Sequence, residues 1–442
     1  MSTKPTDLRH QPDYPVWHPF TPLMGASIEL EVVKAEREFL HLAGGRVMID
    51  AVSSWWVNLH GHSHPAIADA ISKQASTLEH VIFAGFTHQP AVTLAQRLLA
   101  VLPGAHSKVF YSDNGSTAVE VALKMALQYW HNLGTPRTSI VALSGAYHGD
   151  TFGAMSVADR NPFNAPFAPL LFDVQQLDLR PTDDIWAPLD EADHRTIQQL
   201  EAILSQSKPA AFIYEPLVQG SAGMRFFKVD LLTRLLELAQ QHHVITIADE
   251  IMTGFGRTGL LFASEHITKT NPELSPDIIC LSKGLTGGFL PLGVTTCKDH
   301  IQQAYRQEDI MATFFHGHSF TANPISCAAA LASLDLLQAD HSSVQRQQLS
   351  ASLANFAHSL QANPAIAHVR HLGCVLALEW KSSDKTGYFN EARHRLYQWC
   401  IDRDVLLRPL GNVLYIIPPY CISEESLQRV YTVIRELLAE LQ

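Results

Sequence analysis

Two short, largely apolar segments of this chain each end in a charged residue, and this pattern constrains the fold more than any other feature. Residues 244–249 (VITIAD) end at Asp249, and residues 277–283 (DIICLSK) end at Lys283. A strand that is apolar along its length and charged at its carboxyl end is typical of a parallel sheet with a ligand site above that edge. The sequence therefore predicts that Asp249 and Lys283 lie on the same edge of one sheet.

Short apolar segments alternate with helical periodicity from about residue 61 to residue 330, which predicts an α/β fold with a mostly parallel sheet. Residues 158–190 interrupt this alternation with five prolines, and we expect an excursion over the surface there. Near the carboxyl terminus, helices are predicted at about residues 388–403 and over residues 423–441. The predicted strands are residues 108–112, 139–143, 211–215, 244–248 and 277–282.

The composition is that of a globular protein and argues against several classes of function. A net charge of −11 without a block of five like charges does not favour nucleic acid or an anionic membrane as a partner. No apolar segment approaches the roughly 18 residues of a membrane span, so none is expected. The six cysteines are scattered and form no C-x-x-C pair, which favours reduced thiols in a cytoplasmic protein.

An acid and an amine at one sheet edge indicate a site for pyridoxal phosphate. This cofactor needs a lysine for its Schiff base and a carboxylate for its ring nitrogen. A desolvated Lys283 would have a lowered pKa and act as a nucleophile. Asp249 would keep the ring nitrogen protonated, because an opposite charge favours the charged form. Taken singly, Lys283 would more often be a surface lysine and Asp249 a helix cap.

Two further segments fit the same cofactor. Gly115 and Ser116 lie between a predicted strand and a helix over about residues 117–131, which we expect to begin with a capping box of Thr117 and Glu120. Free N–H groups at a helix amino terminus can bind a phosphate, although most such turns are ordinary caps. Tyr147 follows another strand and could lie against a planar ring, or else be a core aromatic residue.

Two motifs that suggest other chemistry are better explained as structural. Residues 254–259 match G-x-G-x-x-G, but they follow the strand end by five residues and open no clear helix, so we predict a packed turn and not a dinucleotide site. His316 and His318 have no cysteine or carboxylate at ligand spacing, so we expect no metal site.

Longer motifs resemble those of the class III aminotransferases, which belong to the fold-type I pyridoxal-phosphate enzymes. The most specific motifs are residues 247–259 (IADEIMTGFGRTG) and 276–288 (PDIICLSKGLTGG). The resemblance extends nearly from end to end, through residues 17–21 (WHPFT), 53–56 (SSWW), 114–116 (NGS), 147–155 (YHGDTFGAM) and 408–411 (RPLG). It implies a homodimer whose subunits have a large cofactor domain, residues 61–330, and a small α+β domain formed from both termini, residues 1–60 and 331–442.

The resemblance also implies a role for each matching residue. Lys283 would carry the cofactor and move a proton, with Asp249 at the ring nitrogen and Tyr147 against the ring. Catalytic roles would therefore fall to these three residues. The phosphate would be held by Gly115, Ser116, the nearby His318, and Ser319 reaching in from the other subunit. The substrate site would be lined by Phe20, Trp55, Trp56, Tyr147, Gly317 and Arg408.

The motifs imply the substrates as well. The tryptophan pair and the early Trp17-His-Pro are typical of members that move an amino group from S-adenosylmethionine to 7-keto-8-aminopelargonate in biotin biosynthesis. Phe20 replaces a common tyrosine, so it keeps a ring face for adenine but lacks the hydroxyl. Lysine stays open as the donor. An aminotransferase of the same class acting on another ω-amine, and an aminomutase, are the alternative activities.

Overall fold

The computed structural model describes residues 15–23, 30–382, 390 and 392–440. The strands are β1 (Val32–Glu36), β2 (Phe39–Leu42), β3 (Val47–Asp50), β4 (His106–Ser112), β5 (Ile140–Leu143), β6 (Gln175–Leu177), β7 (Ala211–Tyr214), β8 (Val218–Gln219), β9 (Arg225–Phe226), β10 (Ile245–Asp249), β11 (Ile278–Leu281), β12 (Gly293–Lys298), β13 (Ile366–Leu372), β14 (Val375–Trp380), β15 (Val405–Leu406) and β16 (Val413–Ile416). The helices are α1 (Ser53–Trp56), α2 (Pro65–Ala75), α3 (Gln89–Val101), α4 (Gly115–Asn132), α5 (Phe152–Val157), α6 (Glu191–Gln206), α7 (Val229–Gln241), α8 (Glu265–Thr268), α9 (Asp299–Gln303), α10 (Pro324–Gln338), α11 (Asp340–Leu360), α12 (Ala392–Ile401) and α13 (Glu424–Glu440).

A seven-stranded sheet of order β4-β12-β11-β10-β7-β5-β6 forms the centre of the molecule. Strands β11, β10, β7, β5 and β6 pair in parallel, and β12 runs antiparallel to both of its neighbours. In the β10–β11 pair, Asp249 lies opposite Cys280, three residues before Lys283. The predicted α/β class and the common edge for the two charged residues are therefore confirmed.

Sequence reasoning missed two strands of this sheet. β6 lies inside the proline-rich segment predicted to be a surface excursion, where it pairs with β5 at one edge of the sheet. β12 was not predicted because two adjacent polar residues, Thr295 and Thr296, interrupt the apolar pattern of the strand. Both threonines are buried, and their hydroxyls bond to Ala118 and His106 respectively.

The start of α4 differs from the prediction. The helix begins at Gly115, and its capping box joins Asn114 to Thr117 and not Thr117 to Glu120. Asn114 accepts the N–H of Thr117 at 3.0 Å, so it takes the capping position that the sequence motif gave to the threonine. Glu120 instead accepts the N–H groups of Gly153 and Ala154 in the first turn of α5.

Two smaller sheets are formed largely from the ends of the chain. β1, β2 and β3 pair in order, and β15 adds to β3 in parallel, so one sheet joins residues from both termini. Arg46 strengthens this junction, since its guanidinium bonds to Asp404 at 2.7 Å and to the carbonyl of Ile401. The other sheet has the order β13-β14-β16. The domain boundaries at 60 and 330 stay a prediction, and the second falls within α10.

The two predicted carboxyl-terminal helices are present as α12 and α13; residues 388, 389 and 391 of the first prediction lie outside the described residues. The apolar stripe of α13 is buried, and Tyr431 stacks on Phe356 of α11 with 4.0 Å between ring centroids. All six cysteines are free thiols. Among the described helices, none combines the length and apolar character needed to span a bilayer.

Candidate active site

A cavity of about 420 Å³ opens at the carboxyl ends of the central strands. Five residues predicted for the cofactor line it, and so does one predicted for the substrate: they are Gly115, Ser116, Tyr147, Asp249, Lys283 and Trp56. Parallel strands end at a common edge, so residues that are far apart in sequence meet there. His148, Glu215 and Ser221, for which the sequence predicted no role, also line this cavity.

Asp249 is the last residue of β10 and is 5% exposed. One carboxylate oxygen accepts the backbone N–H of Ile251 at 3.1 Å. The other lies 2.7 Å from Nδ1 of His148, which is itself buried. A carboxylate held at both oxygens keeps a fixed orientation, which suits the binding of a cationic ring nitrogen in the cavity.

Lys283 begins the turn that follows β11, and its backbone has φ of +44°. A non-glycine residue in this left-handed region is strained and is typical of functional sites. Burial lowers the pKa of the Lys283 ammonium, while Asp249 and Glu215 act in the opposite direction. The Nζ atom lies 5.1 Å from the centre of the Trp56 ring. A lysine with a lowered pKa deprotonates more readily and can react as a nucleophile.

The amino terminus of α4 forms the other end of the cavity. Gly149 packs so closely here that a Cβ atom on it would lie 2.1 Å from the Ser116 hydroxyl oxygen. The backbone N–H of Asp150 also reaches this oxygen at 3.3 Å. The first N–H groups of a helix are free to bind an anion and lie at the positive end of its dipole. Gly115 and Ser116 therefore suit a phosphate group.

Sequence reasoning missed Glu215 and His148. Glu215 follows β7 and accepts the backbone N–H of Tyr147 at 3.1 Å and that of Gly220 at 3.0 Å. Burial raises the pKa of the Glu215 carboxyl to about 7. Its sequence signal is the one used for Asp249, a charged residue directly after a buried apolar strand. His148 has no comparable signal, because its contact with Asp249 spans 101 residues.

Phe20, Trp55 and Arg408 form a second group. The rings of Phe20 and Trp55 meet edge to face with 5.6 Å between centroids. The Arg408 guanidinium lies 4.6 Å from the centre of the Trp55 ring. Phe20 and Arg408 therefore both contact Trp55. Trp56, the next residue along the chain, lines the main cavity.

The turn that carries both tryptophans is strained and firmly anchored. Ser53, Ser54 and Trp56 all have positive φ angles, between 52° and 67°. The buried carboxylate of Asp50 accepts the backbone N–H of Ser54 at 2.7 Å and lies 2.8 Å from Nε2 of His62. Such contacts offset a strain of about 1–3 kcal/mol per residue. The turn thus places Trp55 against Phe20 and Arg408, and Trp56 in the lining of the main cavity.

The structure does not bring every predicted residue to the cavity. Gly317, His318 and Ser319 are absent from its lining in the described part of the chain. His318 instead lies 3.1 Å from the carboxylate of Asp113 through its Nδ1 atom. Residues 254–258 form buried turns in which Arg257 donates to the carbonyl of Pro418, and Gly259 follows at the surface, so the predicted packed turn is confirmed.

Comparisons with known proteins agree with this geometry. The sequence profile of the family described as "Aminotransferase class-III" matches residues 24–438. The adenosylmethionine-8-amino-7-oxononanoate aminotransferase of Synechococcus elongatus is 49% identical and covers 97% of this chain and 100% of its own. Its namesake from Corynebacterium glutamicum is 37% identical, over 94% of this chain and 95% of its own.

Two solved structures have the same fold along nearly the whole chain. Adenosylmethionine-8-amino-7-oxononanoate aminotransferase from Methanocaldococcus jannaschii superposes with a TM-score of 0.88 at 32% identity, covering 95% of this chain and 97% of its own. A PLP-bound amine transaminase from an uncultivated Pseudomonas species has a TM-score of 0.86 at 30% identity, covering 96% and 98%. The chain therefore belongs to the class III aminotransferases, the pyridoxal-phosphate-dependent family that its motifs predict.

Proposed function

We propose that this aminotransferase transfers an amino group from S-adenosylmethionine to 7-keto-8-aminopelargonate, the reaction that yields 7,8-diaminopelargonate in biotin biosynthesis. The observation that carries the aminotransferase chemistry is that Lys283 and Asp249, on adjacent parallel strands, both line one cavity. The substrates are supported by the names of the relatives from Synechococcus elongatus and Corynebacterium glutamicum.

The residues around the cavity suit bound pyridoxal phosphate, which supplies an electron sink for amine transfer. Asp249 would bind the ring nitrogen, with His148 fixing the orientation of its carboxylate. The N–H groups of Gly115 and Ser116, at the start of α4, would hold the phosphate. The half-exposed ring of Tyr147 would pack on the cofactor, since its backbone is fixed by Glu215.

Lys283 would move the proton during transfer. Its lowered pKa makes the neutral amine, which can accept a proton, more accessible, and the nearby Asp249 and Glu215 carboxyls favour its return to the charged form. A base that alternates between two protonation states is what a 1,3-proton shift requires. The Trp56 ring beside Nζ would limit the access of water to this atom.

Phe20, Trp55 and Arg408 would bind the substrates. A guanidinium can bind the distal carboxylate of 7-keto-8-aminopelargonate with two hydrogen bonds, and the indole beside it suits the apolar chain. Phe20 offers an aromatic face to adenine, and a sulfonium near aromatic rings gains roughly 0.5–2 kcal/mol. Gly317 would line the same site.

We infer a homodimer in which His318 and Ser319 complete the phosphate site of the other subunit. The segment that carries them lies outside the cavity of its own chain. It also exposes several large apolar side chains, which favours burial against another subunit. These are Ile310, Met311, Phe315 and Phe320. The free cysteines suit a cytoplasmic location.

The donor is tested by mixing the purified pyridoxal form with one amine at a time and recording the loss of its absorbance. S-adenosylmethionine alone should convert the protein, and added 7-keto-8-aminopelargonate should restore the original spectrum. Conversion by lysine but not by S-adenosylmethionine would refute the proposed donor. Phe20→Leu should weaken binding of the donor more than binding of the cofactor. Phe20→Tyr should leave the protein able to use the same donor.

A second candidate is an amine transaminase with a broader acceptor range, favoured by the likeness to the Pseudomonas structure. A panel of ω-amines and keto acids separates the two functions, because a specific enzyme should use the 7-keto acid far better than pyruvate. An aminomutase would complete turnover with one substrate and no separate donor, so a reaction that stops until a donor is added excludes it.

A further inference from the structure

A second cavity, of about 570 Å³, lies between the β8–β9 hairpin, the segment before α6 and the strands β13 and β14. The loop of the hairpin separates it from the active site: Ser221 lines the first cavity, whereas Ala222 and Gly223 line the second. Nine of the fourteen lining residues are charged or titratable, namely Arg180, Asp183, Asp190, Asp193, Arg225, Lys228, His368, Arg370 and Glu379.

The acidic groups of this second cavity are engaged by neighbouring cations. Lys228 Nζ lies 2.6 Å from Asp193 and 3.1 Å from Asp190, so one ammonium binds two carboxylates. These contacts explain why the pKa of Asp190 is held at about 2, mainly by hydrogen bonds from the Asp193 backbone and Lys228.

The other two carboxylates, Glu379 and Asp183, each have a basic side chain as a neighbour. Glu379 accepts a hydrogen bond of 2.7 Å from the guanidinium of Arg370. Asp183 lies 2.8 Å from Nδ1 of His368. Each lining carboxylate therefore has a basic side chain within hydrogen-bond distance, and the cavity offers little unused capacity to a cationic ligand.

Hydrogen-bond donors, in contrast, are left over. Within the described part of the chain the Arg225 guanidinium forms no ion pair or hydrogen bond, and its Nη1 atom lies beside Gly145. Arg370 is 3% exposed, and its Nε atom is buried without a hydrogen-bond partner in the described part of the protein. Leaving a buried charged donor unsatisfied is energetically costly. Arg180 adds a third guanidinium at the exposed rim, 3.9 Å from Asp190.

We propose that this second cavity binds a small oxyanion ligand, a carboxylate or a phosphate, between Arg225 and Arg370. Two guanidinium groups with unused N–H donors match the paired oxygens of such an anion and would satisfy the buried Nε atom. The lining carboxylates do not oppose binding strongly, because a basic side chain lies beside each of them. The site is distinct from the cofactor phosphate site, which lies at the start of α4.

The test is calorimetric titration of the cofactor-saturated protein, in a buffer without phosphate, with inorganic phosphate and separately with succinate. Saturable binding of at least one probe at one site per chain is expected, with the cofactor absorbance unchanged. Binding of phosphate alone indicates a phosphorylated ligand, and binding of succinate alone indicates a carboxylate. Failure of both probes to bind saturably would overturn the proposal, whatever the activity of the enzyme.

Three variants locate the binding. Arg225→Gln should weaken it about ten- to a hundredfold, the effect of one charge-assisted hydrogen bond. Arg370→Lys keeps a cation for Glu379 but removes the Nε donor, and should weaken binding similarly without unfolding the protein. Arg234→Gln, on the surface of α7, is the matched control and should bind like the wild type. Equal affinity in wild type and Arg225→Gln would refute the site.

Discussion

His148 donates a hydrogen bond from Nδ1 to the carboxylate of Asp249, over 2.7 Å and with both side chains buried. The contact joins the loop after β5 to the end of β10. It orients the carboxylate that would bind the cofactor ring nitrogen, so His148 is a positioning residue in the proposed mechanism.

Asp249→Asn should retain the fold but lose activity by several factors of ten, because the ring nitrogen loses its counter-charge; each factor is about 1.4 kcal/mol.

His148→Ala should slow the first half-reaction about ten- to a hundredfold, the effect of losing one hydrogen bond to a charged group. Because the histidine acts through the aspartate, the double variant should be no slower than Asp249→Asn. Additive losses in stopped-flow rates would contradict this coupling. His131→Ala, at the exposed end of α4, is the control.

Lys283→Ala should abolish turnover, since the nucleophile and the proton carrier are both lost. Borohydride should fix the cofactor covalently to the wild type and to Lys73→Ala, which changes an exposed lysine of α2, but not to Lys283→Ala. Mass spectrometry of the labelled peptide identifies the lysine. Label on any other residue would show that the cofactor lysine has been assigned wrongly.

Arg408→Ala should damage the second half-reaction selectively. Loss of a guanidinium–carboxylate contact costs roughly 1.5–3 kcal/mol, so the apparent affinity for 7-keto-8-aminopelargonate should fall about ten- to a hundredfold. Arg403→Ala removes a similar stacked pair, with the guanidinium 3.4 Å from the Trp399 ring centre, at a distance from the site. It should leave this affinity unchanged. If Arg408→Ala also leaves it unchanged, another group binds the carboxylate.

Glu215 should make the cofactor-free protein less stable as the pH rises. Burial raises the pKa of Glu215 from 4.5 to about 7, so the folded state holds a proton that the unfolded chain has released. The stability from this protonated group is fully present below pH 4.5 and is lost as the pH passes through about 7. At about 1.4 kcal/mol per pKa unit, the loss is on the order of 3 kcal/mol.

Melting temperatures at pH 5 and pH 8 test this dependence on Glu215. The wild type should lose more stability over this interval than Glu215→Gln, which cannot ionise. Glu201→Gln, at an exposed position of α6, should follow the wild type. Parallel curves for wild type and Glu215→Gln would mean that the carboxyl is already ionised at pH 5.

The parts of the fold that the sequence predicted are those with a local signal. Asp249 and Lys283 each follow an apolar strand, and the strands alternate with helices along the sequence. A parallel sheet, with both residues at the edge formed by the carboxyl ends of its strands, could therefore be predicted from the sequence pattern. The predicted capping box was placed one turn too late, because Asn114 caps the helix and Thr117 is the third helical residue of the same capping box. β6 was missed because an edge strand of three residues gives almost no pattern.

The candidate site was predictable only in part, for a similar reason. Glu215 carries the same strand-end signal as Asp249 and could have been found from the sequence. The His148–Asp249 contact and the group of Phe20, Trp55 and Arg408 are long-range, and nothing in the local sequence reports which side chains meet. The proposed role of Ser319 rests on a second subunit, whose position the local sequence pattern of one chain does not predict.

The parallel pair of β3 and β15 has a consequence for how a new chain matures. Arg46 and the Asp404 that it binds are 358 residues apart in sequence. At a synthesis rate of roughly 5–20 residues per second, roughly 20–70 seconds separate them on the ribosome. All strands of the central sheet are made by residue 298, so the cofactor cavity can assemble while Arg408 is still to be translated. The strand ends that would bind the cofactor ring are thus synthesised well before the arginine proposed to recognise a keto acid.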